Sequence, residues 1–231
     1  MIHDLEAFVR QVLEQPDLPG HGMQRLDHAQ HLLALLREAL ARGVPGDVVE
    51  LGCNAGLTAV LLQAALRQAA PSRRLHVYDS FAGLPARGAQ DGASGDDAPT
   101  CAATQAQLEQ NFARFGLPLP EVHAGWFQDT LPGGLPAAIA FAHLDADLYG
   151  STLEGLRQVW PRLSRGGVIV LHDYIDPACR QGVPDWVRIE DYVQYPGVKA
   201  ACDLFFAGRP EAVQLLFSDG RQSGQGFVRK A

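Results

Sequence analysis

Several features that mark common classes of protein are absent from this sequence. No apolar run approaches the roughly 20 residues that a membrane-spanning helix needs. The first residues, Met1-Ile-His-Asp-Leu-Glu6, lack the basic and apolar stretches of a secretory signal. The four cysteines contain no Cys-x-x-Cys pair and no short regular spacing, which argues against a disulfide framework or a zinc site. These absences predict a cytoplasmic protein, in a reducing compartment and without a membrane partner.

The charge of the chain excludes a second group of partners. The formal net charge is −7 and the sequence holds no basic run, so neither nucleic acid nor an anionic membrane surface is a predicted partner. A small organic substrate is the better expectation. With 231 residues, 47% of them hydrophobic, the chain is long enough to form one domain with a substantial core, predicted to span residues 1–231.

Two apolar runs that end in acidic residues organise the rest of the chain. They are Phe141-Ala-His-Leu-Asp-Ala-Asp147 and Val168-Ile-Val-Leu-His-Asp173, and each is typical of a buried parallel strand whose carboxyl end opens onto a site. A helical pattern covers residues 153–167 between them. Such a unit is a right-handed crossover, which makes the two strands parallel and close neighbours. The polar side chains at their ends are therefore predicted to meet: Asp145, Asp147, His172 and Asp173.

The alternation of strand and helix patterns continues on both sides of this unit. Strands are also predicted at residues 48–52, 74–79 and 121–127, and helices at 57–68, 105–115, 186–192 and 197–206. This alternation is typical of a doubly wound α/β fold with a mostly parallel sheet, whose ligands bind beyond the carboxyl ends of the strands. Residues 213–217 and 226–229 alternate around a turn and predict a terminal antiparallel hairpin.

Two helical patterns precede the first strand. The first stops at Pro16, and the second runs from Met23 to Arg42 with leucines on one broad face before Gly43 ends it. Residues 1–43 are therefore predicted to form an N-terminal helical cap that packs on the sheet or covers its ligand edge. A homodimer contact through the leucine-rich helix is the alternative.

Two signals upstream of the acidic runs predict a bound cofactor. Gly52 and Gly56 flank a strand-to-helix turn, where glycines let a ligand approach the backbone closely. The turn is neither a G-x-G-x-x-G fingerprint nor a Walker loop. Asp79 ends the next strand, one β–α–β unit after Glu50, where an acid commonly receives ribose hydroxyls. The long loop at residues 81–100 is either a lid over this site or disordered.

The spacing of the acids in the first run indicates a cation. Asp145 and Asp147 lie two apart, so on an extended strand they face the same side, and carboxylates this close repel unless a cation or a proton separates them. A divalent cation held by Asp145, Asp173 and His172 resolves this and leaves Asp147 as a base. The alternative is that Asp147 and Asp173 only cap helices. His143 is interpreted as a structural strand residue.

Six motifs follow one another between residues 44 and 206 and carry a resemblance to a known family. They are Gly46-Asp-Val-Val-Glu-Leu-Gly52, Asp79-Ser-Phe-Ala-Gly-Leu-Pro85, Gly125-Trp-Phe-Gln-Asp-Thr-Leu-Pro132, His143-Leu-Asp-Ala-Asp-Leu-Tyr-Gly-Ser-Thr152, Gly166-Gly-Val-Ile-Val-Leu-His-Asp-Tyr174 and Gly197-Val-Lys-Ala-Ala-Cys-Asp203. The chain resembles the macrocin O-methyltransferase family of S-adenosylmethionine- and magnesium-dependent enzymes. The resemblance implies a seven-stranded class I methyltransferase fold. It also implies methylation of a hydroxyl with a vicinal oxygen, on a sugar of a small-molecule natural product.

The resemblance implies a role for each matching residue. The methionine part of the cofactor is lined by Glu50, Gly52, Gly56 and Thr58. Asp79 holds the ribose, and the adenine is surrounded by Ser80, Trp126, Phe127 and Gln128. The metal ligands match Asp145 and Asp173, with Asp145 also catalytic, and the general base matches Asp147.

His172 departs from the family pattern, which usually has two consecutive acids at the end of this strand. Magnesium prefers oxygen ligands, whereas an imidazole suits manganese, iron or zinc better. We therefore hypothesise that His172 either relaxes the metal selectivity or leaves the coordination shell, with Mg²⁺ still the first expectation and Mn²⁺ or another cation the alternative.

Other functions compete with this interpretation. A nicotinamide dehydrogenase predicts the missing G-x-G-x-x-G turn, and a metal-dependent hydrolase leaves Asp79 and the glycine turn unexplained. A non-catalytic S-adenosylmethionine-binding protein predicts degraded acids at the strand ends. Methyl transfer to a peptide, a phenol or a nitrogen is the strongest competitor, because it needs the same cofactor site.

Overall fold

A seven-stranded sheet forms the centre of the computed structural model, which describes residues 4–92, 101–217 and 224–231. The strands are β1 (Asp47–Leu51), β2 (Leu75–Asp79), β3 (Glu121–Ala124), β4 (Ile139–Leu144), β5 (Leu163–His172), β6 (Gln214–Leu216) and β7 (Gln225–Arg229). Their order is β3-β2-β1-β4-β5-β7-β6, with β1 to β5 parallel and β7 antiparallel to both of its neighbours. The predicted doubly wound, mostly parallel sheet and its terminal antiparallel pair are confirmed.

Helices cover both faces of this sheet. They are α1 (Leu5–Leu13), α2 (Leu26–Ala41), α3 (Leu57–Ala69), α4 (Gln105–Arg114), α5 (Phe127–Gly134), α6 (Tyr149–Val159) and α7 (Pro196–Phe206). Because side chains alternate along a strand, Val48 and Phe141 join the core under α1 to α4, whereas Val49 and Ala142 join the core under α5 to α7. Strands buried on both faces explain the continuous apolar runs in the sequence.

The N-terminal helices pack against the sheet and against α3. The apolar face of α1, including Phe8 and Val12, and the leucine-rich face of α2, including Leu32 and Leu36, are buried in the core that α3 also lines. The predicted packing on the sheet is confirmed, and these leucines serve the core of this chain. Dimerisation stays a prediction.

The crossover unit differs from its predicted bounds. Helix α6 begins four residues earlier than predicted, at Tyr149, and ends at Val159 instead of continuing to residue 167. A single 3-10 turn that contains Pro161 follows, and β5 begins at Leu163, which pairs with Ile139 of β4. Proline lacks the N–H that the next α-helical hydrogen bond would need, so the α-helix ends at this point.

Two further elements are shorter than predicted. Strand β3 ends at Ala124, because Gly125 turns the chain with φ 140° into α5. The prediction of a helix at residues 186–192 is wrong, because the structure has only a 3-10 turn there, at Ile189–Tyr192. In the loop predicted at residues 81–100 as a lid or disordered, the described part contains a 3-10 turn at Ala89–Asp91, and residues 93–100 lie outside the described residues. Within the described ranges, no helix has the length and apolar character that would let it cross a membrane.

Candidate active site

The strand order reverses between β1 and β4, which is where ligands bind in doubly wound sheets. At this point Gly52, with φ 84°, follows β1 and lies against the backbone of Asp145, which follows β4. A Cβ atom on Gly52 would overlap the carbonyl oxygen of Asp145. Glycine is therefore required here by both the backbone conformation and the close approach of the two strand ends.

Two adjoining cavities open at these strand ends. The first, about 460 Å³, lies between the turn after β1, the segment before α2 and the ends of β4 and β5. Its polar lining includes Asn54, Thr58, Asp79, Asp145, Asp147, His172 and Asp173. The second, about 530 Å³, extends toward α5 and α6. Both cavities share the residues Gly52, Asp79, Gly83, Leu84 and Asp145, so one elongated ligand can occupy both.

The predicted adenine residues line the second cavity. Ser80, Trp126, Phe127 and Gln128 all contribute to its wall, and Trp126 is 38% exposed. Trp126 and Phe127 lie where β3 gives way to α5, because the short turn at Gly125 brings the start of that helix to the sheet edge. Aromatic and apolar walls of this kind suit a flat heterocycle.

Asp79 lies at the junction of the two cavities. Its Oδ2 accepts a hydrogen bond of 2.8 Å from the backbone N–H of Asn54, and its Oδ1 accepts one of 2.8 Å from that of Phe81. Burial raises the pKa of Asp79, and these two backbone donors partly oppose the shift. The carboxylate is thus fixed in position while it keeps lone pairs that can accept hydroxyl groups of a ligand.

Two predicted cofactor residues flank the turn between β1 and α3. Among the described residues, Glu50 and Gly56 are not part of either lining. The Glu50 side chain is fully buried, with Oε1 3.0 Å from Nδ1 of the equally buried His143, and burial raises the pKa of Glu50. Gly56 has φ 79° and packs against Leu108 of α4. Their predicted contact with the cofactor stays a prediction, and His143 is buried in the sheet as interpreted.

Asp145, His172 and Asp173 form a compact group of potential metal ligands, each with one ligand atom within 4.8 Å of the others. Nδ1 of His172 lies 3.0 Å from Oδ1 of Asp145 and 3.3 Å from Oδ2 of Asp173. This buried nitrogen nevertheless has no partner with hydrogen-bond geometry within the described structure. Two carboxylates and an imidazole nitrogen that converge without hydrogen bonding to one another suit a shared divalent cation. The three residues therefore fit the predicted metal.

Asp147 lies in the same cavity with a different environment. It is half-buried, with φ 55°. Burial raises its pKa well above the usual range, and the nearby carboxylates of Asp145 and Asp173 raise it further. The alternative that Asp147 and Asp173 cap helices is wrong, because the N-cap of α6 is Leu148 and the first helix after β5 begins more than ten residues beyond Asp173.

Comparison with known proteins gives this arrangement a family. A model of the macrocin-O-methyltransferase (TylF) family matches residues 9–206, which is most of the chain. The chain belongs to the macrocin O-methyltransferase family. The predicted family and the predicted enzyme class, an O-methyltransferase, are confirmed, and membership supports S-adenosylmethionine as the cofactor.

Two relatives and one solved structure illustrate the similarity. The chain is 39% identical over 174 residues to the 8-demethyl-8-(2,3-dimethoxy-alpha-L-rhamnosyl)-tetracenomycin-C 4'-O-methyltransferase of Streptomyces olivaceus, covering 71% of this chain and 66% of that relative. It is 35% identical over 200 residues to the mycinamicin III 3''-O-methyltransferase of Micromonospora griseorubida, covering 78% of this chain and 76% of that relative. The structure of the O-methyltransferase NovP has the same fold, with a TM-score of 0.73 at 23% identity over 98% of this chain and 99% of that one.

In this member of the macrocin O-methyltransferase family, His172 and the neighbouring carboxylates shift one another's pKa values. Burial acts to lower the pKa of His172, but Asp145 and Asp173 outweigh it and raise that pKa well above its ordinary value. Burial acts to raise the pKa of Asp145, but the charge of His172 outweighs it, so that pKa is lowered. A divalent cation bound to the same atoms would displace the ring proton of His172 and would lower the pKa of Asp145 in its place.

The contacts of two buried residues near the site, Asp91 and Gln24, have no counterpart in the local sequence pattern. Asp91 is buried in the loop after β2, where its Oδ1 accepts a hydrogen bond of 2.6 Å from the N–H of Tyr149 at the start of α6, and its Oδ2 one of 2.7 Å from the N–H of Gly88. Gln24 donates a hydrogen bond of 2.9 Å from Nε2 to Oγ1 of Thr58 and so connects the segment before α2 to the first turn of α3. Their partners are far away in sequence, so no spacing could predict these contacts.

A second group of potential metal ligands lies on β2 and β3, away from both cavities. It consists of His76, Glu121 and His123. Arg74 Nη1 lies 2.8 Å from Oε1 of Glu121, and Asp47 Oδ2 lies 3.5 Å from Nε2 of His76. The charges of this group are therefore already balanced by protein side chains.

Proposed function

We propose that this chain transfers the methyl group of S-adenosylmethionine to a hydroxyl of a sugar on a small-molecule natural product, with the help of a divalent cation. The observation that carries the proposal is the shared wall of the two cavities at Gly52, Asp79 and Asp145. This wall would bring the methyl donor and a carboxylate-lined acceptor site together, which is the arrangement that methyl transfer requires.

The chain's own residues would hold the two reactants in line. Asp79 would accept the ribose hydroxyls, while Ser80, Trp126, Phe127 and Gln128 would enclose the adenine in the second cavity. Gly52 and Thr58 would lie beside the methionine part. The fixed carboxylate of Asp79 and the rigid strand ends reduce the entropy that the reactants lose on reaching the reactive geometry.

The acceptor hydroxyl must lose a proton, and Asp147 is positioned to take it. Burial, the largest cause of its raised pKa, makes it a better base than an ordinary aspartate. Asp145, His172 and Asp173 would hold a divalent cation, which would supply Lewis-acid stabilisation of the ionised hydroxyl and an anchor for a vicinal oxygen. Asp145 would thereby act in catalysis as well as in binding.

The acceptor class rests on the relatives. The names of the two relatives specify a rhamnosyl-bearing tetracenomycin and mycinamicin III as their substrates. The chain spans just under two thirds of the first relative. A glycosylated small molecule is therefore the acceptor that we propose, with phenols, peptides and amines as the competitors.

A methylation assay tests the function. The protein is incubated with S-adenosylmethionine and a panel of acceptors: a rhamnosylated polyketide, a macrolide glycoside, a catechol and a peptide. Mass spectrometry should detect the gain of one CH₂ group only in a glycoside. Chelation of the metal, or the substitution Asp145→Ala, should abolish this gain while S-adenosylmethionine still binds. Transfer to the catechol or the peptide alone would contradict the proposal.

The metal preference tests the role of His172. Titration of the wild type and His172→Asp with Mg²⁺ and Mn²⁺ should show a shift toward Mg²⁺ in the variant, because a carboxylate replaces the imidazole. An unchanged preference would remove the selectivity hypothesis.

A further inference from the structure

We propose that His28 is a positioning residue for the candidate cation site. Its Nδ1 accepts a hydrogen bond from Nε2–H of His172 and thereby holds Nδ1 of His172 toward Asp145 and Asp173. The inference rests on the proposed function only in assigning a cation to that site.

The contact between the two histidines is short and sealed from solvent. Nδ1 of His28 lies 3.2 Å from Nε2 of His172, and the ring planes meet at 82° with centroids 5.1 Å apart. His28 is fully buried in the first turn of α2, and His172 is 9% exposed at the end of β5. A buried pair of this kind fixes the orientation of both rings.

The carboxylates decide which ring donates. The other nitrogen of His172, Nδ1, lies 3.0 Å from Asp145 and 3.3 Å from Asp173. That nitrogen either binds a cation or carries a proton between the two carboxylates. A neutral ring that binds a cation through Nδ1 carries its proton on Nε2, and a charged ring carries protons on both nitrogens. A cation on Nδ1 therefore leaves Nε2 as the donor and His28 as the acceptor, whereas a cation-free neutral ring with its proton on Nδ1 would reverse the two roles.

The orientation matters because a ligand nitrogen must point its lone pair at the cation. Metal-bound histidines almost always donate their second ring nitrogen to a protein acceptor, and the loss of that acceptor typically lowers metal affinity about 10- to 100-fold. The acceptor is usually a carboxylate or a carbonyl. Here it is another imidazole, supplied by the N-terminal cap, so the cap contributes to the cation site as well as to the core.

Ring ¹⁵N spectra of histidine-labelled protein, recorded in the presence of Mg²⁺, test the contact. Nε2 of His172 should be protonated and Nδ1 of His28 unprotonated, with coupling between the two nitrogens across the hydrogen bond. His28→Asn offers an amide oxygen near the position of Nδ1 and should keep a hydrogen-bonded Nε2–H on His172, whereas His28→Leu should lose that hydrogen bond and shift the Nε2 resonance. A protonated Nδ1 on His28, or no coupling, overturns the inference.

Mn²⁺ binding, measured by the magnetic resonance of free and bound ion, tests the consequence. His28→Leu should bind Mn²⁺ about 10- to 100-fold more weakly than the wild type. His28→Asn should restore most of the affinity, and His31→Leu, one turn further along α2, should leave it unchanged. Bound Mn²⁺ should show coupling to an imidazole nitrogen, and His172→Asp should abolish it.

The outcomes separate the two proposals. Wild-type affinity in His28→Leu, or equal losses in the Leu and Asn variants, overturns the positioning role alone. A wild type that shows the coupled histidines but binds no Mn²⁺ overturns the cation part of the proposed function, and with it the purpose assigned to His28.

Discussion

The backbone at the candidate site is strained at individual residues. Among the described residues, five other than glycine have positive φ, and four of these follow the carboxyl ends of strands: Asn54, Phe81, Asp147 and Asp173. Such conformations are uncommon and cost of order 1–3 kcal/mol each, so they persist where the surrounding structure fixes them. Asparagine and aspartate tolerate this region better than other residues with a Cβ. The turn to positive φ redirects Asp147 and Asp173 at the point where each strand leaves the sheet.

Asp147→Asn tests the general base. The amide has nearly the same shape but cannot accept the proton, so kcat should fall about 10²- to 10⁴-fold. The dissociation constant for S-adenosylmethionine, measured by calorimetry, should stay within a factor of about two because the cofactor contacts are unchanged. Asp17→Asn, on the surface, serves as the control. A kcat that stays at the wild-type value would rule out this role.

Glu50→Gln tests whether the buried carboxylate costs stability. Burial raises the pKa of Glu50, so above its ordinary value of about 4.3 the folded state binds more protons than the unfolded state, and stability falls as pH rises. The amide removes this dependence while it can still contact His143. The variant should therefore melt at a higher temperature than the wild type at neutral pH, and the difference should shrink toward pH 4. A difference that is constant with pH would argue against this explanation.

At the scale of elements, the loop after β2 joins two helix starts. The carboxylate of Asp91 accepts from the N-terminus of α6 and lies against Gly197 in the first turn of α7. A negative charge at a helix N-terminus is favourable because unpaired N–H groups and the helix dipole are there. Gly197 belongs to one of the six motifs, and the structure explains why a larger residue would not fit.

Gly197→Ala should destabilise the protein although alanine favours helices. The added Cβ would overlap the carboxylate of Asp91 and crowd the N–H of Tyr149. Overpacking costs about 1–3 kcal/mol, which exceeds the gain of about 1 kcal/mol from helix propensity. A lower melting temperature is expected, by about 2–4 °C for each kcal/mol of net loss. Gly133→Ala in α5 is the matched control, since a Cβ there meets nothing within 4 Å. Equal melting of the two variants would contradict the explanation.

At the scale of the whole molecule, the N-terminal cap supports both the core and the site. Helix α1 is held by Leu5, Phe8, Val9 and Val12 against the core that α3 lines, and the segment after it reaches the first cavity through Gly20, Gly22 and Gln24. The cap is therefore continuous with the wall of the first cavity.

Deletion of residues 1–14 should lower the stability of the entire fold. Each buried apolar side chain contributes about 1.5–3 kcal/mol, and four of them approach the whole stability of a typical domain, about 5–15 kcal/mol. The truncated chain should melt at a much lower temperature by circular dichroism and bind hydrophobic dyes. Leu204→Ala, at a leucine that is 54% exposed, should change neither property. A truncated chain that melts like the full one would show that α1 is dispensable.

The sequence by itself determined the α/β class, the strands and the acids at their ends, because apolar period and local spacing encode them. It also brought Asp145, Asp147, His172 and Asp173 to one edge, since neighbouring parallel strands end together. Only the tertiary structure decided that Glu50 contacts His143, that Asp91 accepts a hydrogen bond from the N–H of Tyr149 and that His28 contacts His172. These contacts join residues separated by 93, 58 and 144 positions, and no local pattern specifies which distant side chains will meet.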